Sequence, residues 1–184
     1  MRVHDFARIS PYAGIAAAII FTVLYVLAAT NYTNYSMASN YLSDLGAGEK
    51  SGLLFNSGVI IAGVLGVIFA FGVYKTLRNL GKKGGIVFII SSLSLIGVGI
   101  FPEQSPLIHV IFSGAFFIFS AISLILIGTE LRNKTKSLGY FSILAGVIAL
   151  VFIPTGLPII EHTAVFALIL WVFIVSVYVM KKAL

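Results

Sequence analysis

The amino-acid sequence predicts an all-α membrane protein built as a bundle of six transmembrane helices. Composition is the first reason: of 184 residues, 59% are hydrophobic and only 10% are charged, whereas soluble domains average about 25% charged residues. Mean hydropathy is +1.08. The second reason is that the apolar residues form long runs between short polar stretches, a pattern typical of membrane spans. The absence of cysteine excludes disulfides, thiolate nucleophiles and cysteine-ligated metal sites.

Six apolar runs are each long enough to cross the membrane. A helix rises 1.5 Å per residue, so about 20 residues cross a hydrocarbon core of about 30 Å. The first run follows Arg2 and Arg8 and could instead be the core of a cleaved signal peptide. Its length exceeds the usual 7–15 residues of such a core and favours a retained span. We therefore expect one domain over residues 1–184, with spans at about 12–30, 53–74, 85–101, 107–128, 138–154 and 159–180.

The basic residues are distributed very unequally between the two sides of these spans. Eleven of the twelve lysines and arginines lie in residues 1–11, 75–84, 129–137 and 181–184, and only Lys50 lies on the other side. The positive-inside rule then predicts a multi-pass protein of the cell membrane with both termini cytoplasmic. Contacts of these cations with anionic lipid explain the basic pI near 9.7. We therefore expect membrane lipids as partners and no nucleic acid, and a homo-oligomer is left open.

The third to sixth spans contain a parallel internal repeat. Residues 77–109 and 131–162 each begin with Leu-Arg-Asn, continue through a span and a Pro-x-x-x-Pro outer turn, and end with a histidine. Both copies have the same orientation, so spans three and four match spans five and six. The second proline of each turn suits the first position of a helix, with Ser105 as an N-cap in the first copy. His109 and His162 should then lie at matching depth, about one turn below the outer surface. The alternative is that short helical hairpins converge on proline and glycine independently.

Titratable side chains that could bind a ligand or a metal gather on the outer side. Four of the six acids and two of the three histidines lie there. An ionisable residue in a span is by default a candidate for function. Ser113 follows His109 by one turn on the same face of its helix. The candidate ligand-binding residues are Asn56, Glu103, His109, Ser113, Glu161 and His162.

Each candidate also has a purely structural alternative. The histidines could be neutral rings bonded to loop carbonyls, and the glutamates could be solvated carboxylates near helix N-termini. Asp44 could close a local Asx turn. Ser113, Ser120 and Ser123 could form a face of small residues for close helix packing, as the glycines of span two do. Residues 40–52 of the longest loop are expected to form a short interfacial helix or a lid, with the loop's tyrosines at the membrane interface.

Three motifs on the outer side resemble those of a known membrane family. They are Asn40-Tyr41-Leu42-Ser43-Asp44-Leu45-Gly46, then Leu54-Phe55-Asn56 at the start of span two, and Gly99-Ile100-Phe101-Pro102-Glu103 followed by His109. Over about residues 10–180 the chain is similar to the archaeal and bacterial proteins of domain-of-unknown-function family 998. The resemblance implies six helices with polar residues at the outer face and no established reaction. The site positions it implies are Ser43, Asp44, Asn56, Glu103 and His109, whereas His162 is expected from the repeat alone.

A weaker resemblance leads to membrane hydrolases such as the alkaline ceramidases and the adiponectin-receptor group. It implies zinc held by three histidines near a serine and an aspartate. Here His109 and His162 would be metal ligands, a glutamate would complete the site, and Asp44 and Ser43 would be the catalytic residues. The chain departs from that pattern because it offers two histidines rather than three, no His-x-x-x-His pair and one span fewer.

The sequence leaves three functions open and does not decide whether the protein is an enzyme. The first expectation is a lipid- or small-ligand-binding or transport module with a polar vestibule that opens outward, and no cofactor is certain. The alternative is a zinc-dependent membrane hydrolase of a lipid ester or amide. The third is a structural subunit of a larger assembly.

Overall fold

The computed structural model describes residues 3–183, with side chains described for residues 8–151 and 155–182. This part of the chain is helical and contains no strand, which confirms the predicted all-α class. The helices are α1 (Val3–Thr30), α2 (Asp44–Ala47), α3 (Gly52–Thr76), α4 (Asn79–Ile100), α5 (Pro106–Leu131), α6 (Lys136–Thr155) and α7 (Pro158–Ala183).

The length and composition of the helices make this an integral membrane protein. Among the described residues, α1, α3, α4, α5 and α7 are long and apolar enough to cross a membrane. Helix α6 has 20 residues, but its described apolar part, Lys136–Val151, is shorter than the other five. The sixth predicted span therefore stays a prediction.

The six long helices form a closed ring. Each packs against the next long helix along the chain, from α1 and α3 round to α6 and α7, and α7 returns to pack against α1. Sequential elements thus remain neighbours in space, as short connections favour. Residues 77–78 and 132–135 lie at one end of the ring, here called the basic end. Residues 31–51, 101–105 and 156–157 lie at the opposite end, here called the acidic end.

Large aromatic residues fill the interior of the ring toward the basic end. The Trp171 ring is fully buried and lies 6.0 Å from the Phe69 ring and 5.4 Å from the Phe88 ring, centroid to centroid. Its indole N–H donates to Ser142 Oγ over 2.8 Å, so the one polar atom of this side chain is satisfied. Burial of such large apolar surfaces closes the bundle at this end.

Small residues bring the helices into close contact around the ring. A methyl group at Gly63 would lie 2.6 Å from Ile96 Cγ1, and one at Gly66 would lie 2.7 Å from Ser92 Oγ. Ser120 and Ser91 share a hydrogen bond of 2.6 Å between α5 and α4. These contacts confirm the packing interpretation of the span-two glycines and of Ser120. Ser123 likewise packs against α4 by donating to the carbonyl of Gly84.

Helix α4 begins six residues before the span predicted at residue 85, because a carboxylate from another helix caps it. Glu130 near the end of α5 accepts hydrogen bonds from Arg78 N at 2.9 Å and Gly81 N at 2.8 Å. It also pairs with Lys134 Nζ at 2.9 Å. These backbone N–H groups have no partner within α4, so Glu130 takes the part of an N-cap side chain.

The two proline turns at the acidic end resemble each other less than the sequence predicts. Helices α5 and α7 do begin at Pro106 and Pro158. However, α4 ends at Ile100, before its turn, whereas α6 continues to Thr155 and leaves only residues 156–157 between helices. Gly156 adopts φ +56°, a left-handed conformation that favours glycine after a helix. The predicted N-cap Ser105 makes no capping hydrogen bond through its side chain.

Candidate functional site

The longest loop folds back over the acidic end of the ring. Residues 40–51, here called the lid, contain the short helix α2, and Leu42 and Leu45 are only 4% and 0% exposed. Ser51 Oγ donates to the carbonyl of Leu45 over 2.7 Å, and Asn56 Nδ2 donates to the carbonyl of Gly46 over 3.0 Å. The apolar side chains and these hydrogen bonds together hold the lid against α3.

The lid is also tied to both proline turns. Leu42 N donates to Glu161 Oε2 over 2.7 Å, and Ser43 Oγ donates to Glu103 Oε1 over 2.6 Å. At the lid's two flanks, Tyr41 Oη donates to the carbonyl of Gly156 and Gln104 Nε2 donates to that of Ala47. The predicted short helix and lid are therefore one element that closes the acidic end.

Three acids that lie far apart in the sequence meet where the lid contacts the two proline turns. Asp44, Glu103 and Glu161, here called the carboxylate cluster, act on one another electrostatically, and Ser43 Oγ donates to Glu103 Oε1. Burial raises the pKa of Glu103 above its usual value, the hydroxyl of Ser43 opposes that rise, and the charge of Asp44 adds to it. The one ion pair in the described part of the chain, between Lys134 and Glu130, lies at the other end.

Asp44 makes local hydrogen bonds, but with residues before it rather than with the backbone two residues ahead, as the Asx turn of one of its two interpretations would require. Its Oδ2 accepts hydrogen bonds from Tyr41 N at 3.0 Å and from Asn40 Nδ2 at 3.1 Å. The same side chain thus shapes the start of α2 and contributes charge to the carboxylate cluster.

A cavity of about 110 Å³ lies directly below the lid. Its lining runs along α3 from Phe55 to Gly66, which corresponds to a length of about 16 Å at 1.5 Å per residue. Apolar side chains of α1, α3, α4, α5 and α7 form most of the wall. Its polar end, next to the carboxylate cluster, is formed by Ser43, His109, Ser113 and Glu161.

The two predicted histidines have different surroundings. His109 Nδ1 bonds to the carbonyl of Phe101 over 2.9 Å, and the ring lines the cavity. His162 Nδ1 bonds to the carbonyl of Pro158 over 2.8 Å, and its Nε2 lies 2.6 Å from Tyr35 Oη. The His162 ring also packs edge-on against Tyr25 of α1. His162 is therefore fully engaged in holding the loop and is not part of the cavity wall.

The structure brings most of the predicted site residues together but not all of them. His109, Ser113 and Glu161 line the polar end of the cavity with Ser43. Glu103 bonds to Ser43 from outside the cavity wall, and Asp44 acts on Glu103 electrostatically. Asn56 does not line the cavity, because its amide is bonded to the lid backbone.

The two histidines that the zinc alternative requires each bond to a backbone carbonyl through Nδ1. No group of three or more histidine and acidic side chains in the described part of the chain is placed to hold a metal ion. Both ring nitrogens of His162 already have hydrogen-bond partners, so this ring offers no free nitrogen to an ion that His109 could share.

Sequence reasoning missed the roles of two loop tyrosines and of Glu130. Tyr35 and Tyr41 were expected in an interfacial belt, yet both hydroxyls hold the outer loop against α7 and its turn. Burial of Tyr35 raises the pKa of its hydroxyl well above the usual value, which keeps it a hydrogen-bond donor. The signal that could have identified Glu130 was an acid in the cation-rich segments 1–11, 75–84, 129–137 and 181–184, where Asp5 is the only other acid.

Comparison with known proteins gives one match. The family described as "Protein of unknown function (DUF998)" matches residues 15–180, which includes all of α3 to α6, most of α1 and α7, and the lid. No curated protein and no solved structure matches the chain.

Proposed function

The chain belongs to the DUF998 family, and we propose that this membrane protein binds a single-chain, lipid-like amphiphile in the cavity beneath the lid. The observation that carries the proposal is the composition of the cavity wall. A long wall that is apolar except for Ser92 beside Gly66 ends in the four polar residues Ser43, His109, Ser113 and Glu161. Ligand sites are commonly apolar with a few convergent polar groups that orient the ligand.

The dimensions of the cavity favour a narrow ligand. The cavity has a volume of about 110 Å³. That volume is spread over a length of about 16 Å along α3. A slender hydrocarbon chain suits this shape better than a compact ring or a two-chain lipid.

The lid at one end of the ring and the packed interior at the other favour binding over transport. The lid covers the acidic end, and a continuous cluster of buried apolar residues around Phe69, Phe88 and Trp171 fills the basic end. A transport path would have to open both ends, whereas binding requires only movement of the lid.

The same proposal includes a membrane topology. We place six spans in the cell membrane, with α6 as the fifth, and both termini in the cytoplasm. The clustering of lysine and arginine at the basic end supports this orientation through the positive-inside rule. The lid, the carboxylate cluster and the polar end of the cavity would then face the outer leaflet.

A substitution that fills the cavity tests the proposal. Ala62 lines the cavity, and Ala62→Leu adds three carbon atoms to its wall. Val64 lies two residues after Ala62 and is exposed on the surface of the same helix. Val64→Leu therefore enlarges a side chain outside the cavity and is the matched control. Each protein is purified in a mild detergent, and the compounds extracted from it are identified by mass spectrometry.

The wild-type chain and Val64→Leu should retain one class of single-chain amphiphile in near-stoichiometric amount, and Ala62→Leu should retain several-fold less. Equal retention by wild type and Ala62→Leu would contradict the proposed site. Absence of any compound above the level of a detergent blank would contradict the proposed function itself.

A further inference from the structure

His109 leaves one ring nitrogen without a partner at the polar end of the cavity. Its side chain is only 7% exposed, and it lines the cavity. Nδ1 bonds to the carbonyl of Phe101, and Nε2 has no hydrogen-bond partner in the described part of the chain. In the described part of the chain the fully buried side-chain atoms without a partner are Tyr25 Oη and Ser176 Oγ, so His109 Nε2 is accessible and a ligand in the cavity can supply its partner.

The bond to Phe101 fixes what Nε2 can do. A carbonyl oxygen only accepts, so Nδ1 must carry the proton, and in the neutral ring Nε2 is then an acceptor. His162 shows the same arrangement with its partner in place: Nδ1 donates to the Pro158 carbonyl, and Nε2 accepts from the Tyr35 hydroxyl. By analogy, His109 Nε2 suits a hydroxyl or another hydrogen-bond donor.

The other polar groups at this end of the cavity also lack free donors. Ser43 donates its proton to Glu103, and Ser113 donates to the carbonyl of Val110 over 3.3 Å. Glu161 offers carboxylate oxygens, and its oxygen Oε2 already accepts from Leu42 N. In the described part of the chain, no lysine or arginine forms an ion pair with the cluster. The polar end therefore presents hydrogen-bond acceptors and has no cation paired with it among the described residues.

We infer that the amphiphile's head group donates hydrogen bonds, as a hydroxyl or an ammonium does, and is not a carboxylate or a phosphate. The donor binds His109 Nε2 and Glu161 while the hydrocarbon chain extends toward Gly66. An anionic head group would bring further acceptors to an end of the cavity that already offers acceptors, and its buried charge would have no cationic partner, which is unfavourable. This inference rests on the proposed function.

Three probes with one hydrocarbon chain test the inference: dodecylamine, dodecanol and dodecanoic acid. Each competes with a diazirine-labelled dodecanol for photo-crosslinking to the full chain in nanodiscs, read at the cavity-lining peptides of α3 and α7. The amine and the alcohol should compete at concentrations about tenfold lower than the acid does. A tenfold difference in affinity is about what one hydrogen bond to a charged group contributes.

Two variants locate the effect. His109→Phe keeps a ring of similar size but removes the hydrogen-bond acceptor. It should therefore weaken competition by the amine and the alcohol, so that their competing concentrations approach that of the acid. His162→Phe removes an imidazole outside the cavity wall and should preserve the order of the three probes. Because the wild-type order alone decides the head-group class, the test holds even where a variant fails to fold.

Two results would overturn the inference while leaving the proposed function intact: an acid that competes as well as the amine and the alcohol, or an unchanged preference in a folded His109→Phe protein. Failure of all three probes to compete, or the absence of cavity crosslinking, would instead overturn the proposed function.

Discussion

The backbone N–H of Leu42 donates to Glu161 Oε2 over 2.7 Å, across 119 positions of sequence. Both residues are buried, so this hydrogen bond joins the lid to the first turn of α7 in a place that water reaches poorly. Replacing Glu161 with leucine would leave the Leu42 N–H without a partner, at a cost of about 1–3 kcal/mol.

We expect Glu161→Leu to loosen the lid more than the ring. Hydrogen exchange measured by mass spectrometry should increase in residues 41–47 and stay near wild type in α4. Glu161→Gln retains a side-chain oxygen that can accept from Leu42 N and should show a smaller increase. Equal protection of the lid in wild type and Glu161→Leu would mean that the buried leucines alone hold it.

A second prediction concerns the cap that Glu130 provides at the basic end. Glu130→Ala removes the acceptor of two backbone N–H groups, Arg78 N and Gly81 N, and should lower the free energy of unfolding by about 1–3 kcal/mol. The measurement is unfolding in a detergent titration, with hydrogen exchange of residues 78–82 as a local readout.

Lys134→Met removes the ion pair with Glu130 but leaves the hydrogen bonds through which Glu130 caps α4. Lys134 is 44% exposed, and an exposed pair of this kind contributes about 0.5 kcal/mol. This variant should therefore unfold close to wild type. If both variants lost the same stability, the ion pair rather than the cap would be the important interaction.

The fold was predictable from the sequence where local physics decides it. Long apolar runs can satisfy their backbone in lipid only as helices, and Pro106 and Pro158 begin helices because proline suits the first helical position. The early start of α4 was not predictable in this way, because its cap comes from Glu130 on another helix.

The candidate site was predictable in composition but not in arrangement. The acids and histidines were expected at one end, yet the lid depends on hydrogen bonds such as Ser43 to Glu103, which join distant positions. The two histidines bond to different kinds of carbonyl for a local reason that the repeated sequence does not reveal. Helix α4 ends at Ile100, so the Phe101 carbonyl is available to His109, whereas His162 bonds within its own helix to Pro158.

A third prediction tests the close packing of α4 against α5. A methyl group at Gly84 would lie 2.6 Å from Ile127 Cγ1 and 3.0 Å from the backbone oxygen of Ser123. Since the Ser123 backbone cannot move freely, Gly84→Ala should destabilise the protein by about 1–3 kcal/mol. The measurement is the midpoint of thermal unfolding in detergent.

Gly114→Ala is the matched control on α5. A methyl group there would have no atom within 4 Å, so this change should be neutral or stabilising by up to about 1 kcal/mol, from the higher helix propensity of alanine. Similar losses in both variants would show that the effect arises from the helix backbone and not from the contact with α5.

The last prediction concerns pH. Burial raises the pKa of Glu103 above its ordinary value of 4.5, and the charge of Asp44 adds to that rise. As the pH rises, the unfolded chain therefore releases this proton before the folded chain does. The contribution of Glu103 to the free energy of unfolding is fully present below about pH 4.5 and falls until the raised folded-state pKa is passed.

Thermal unfolding between pH 4 and pH 8 measures this contribution. The wild-type midpoint should fall as the pH rises through the window above 4.5, and Glu103→Gln, which cannot lose a proton, should flatten part of that decrease. Glu49→Gln removes an exposed carboxylate just after α2 and is the control variant.

Asp44, Glu161 and His109 also face Glu103, so some slope should remain in Glu103→Gln. A midpoint that rises with pH in the wild type, and no longer does so in Glu103→Gln, would mean that the hydrogen bond from Ser43 outweighs burial and that Glu103 is stabilised as its anion.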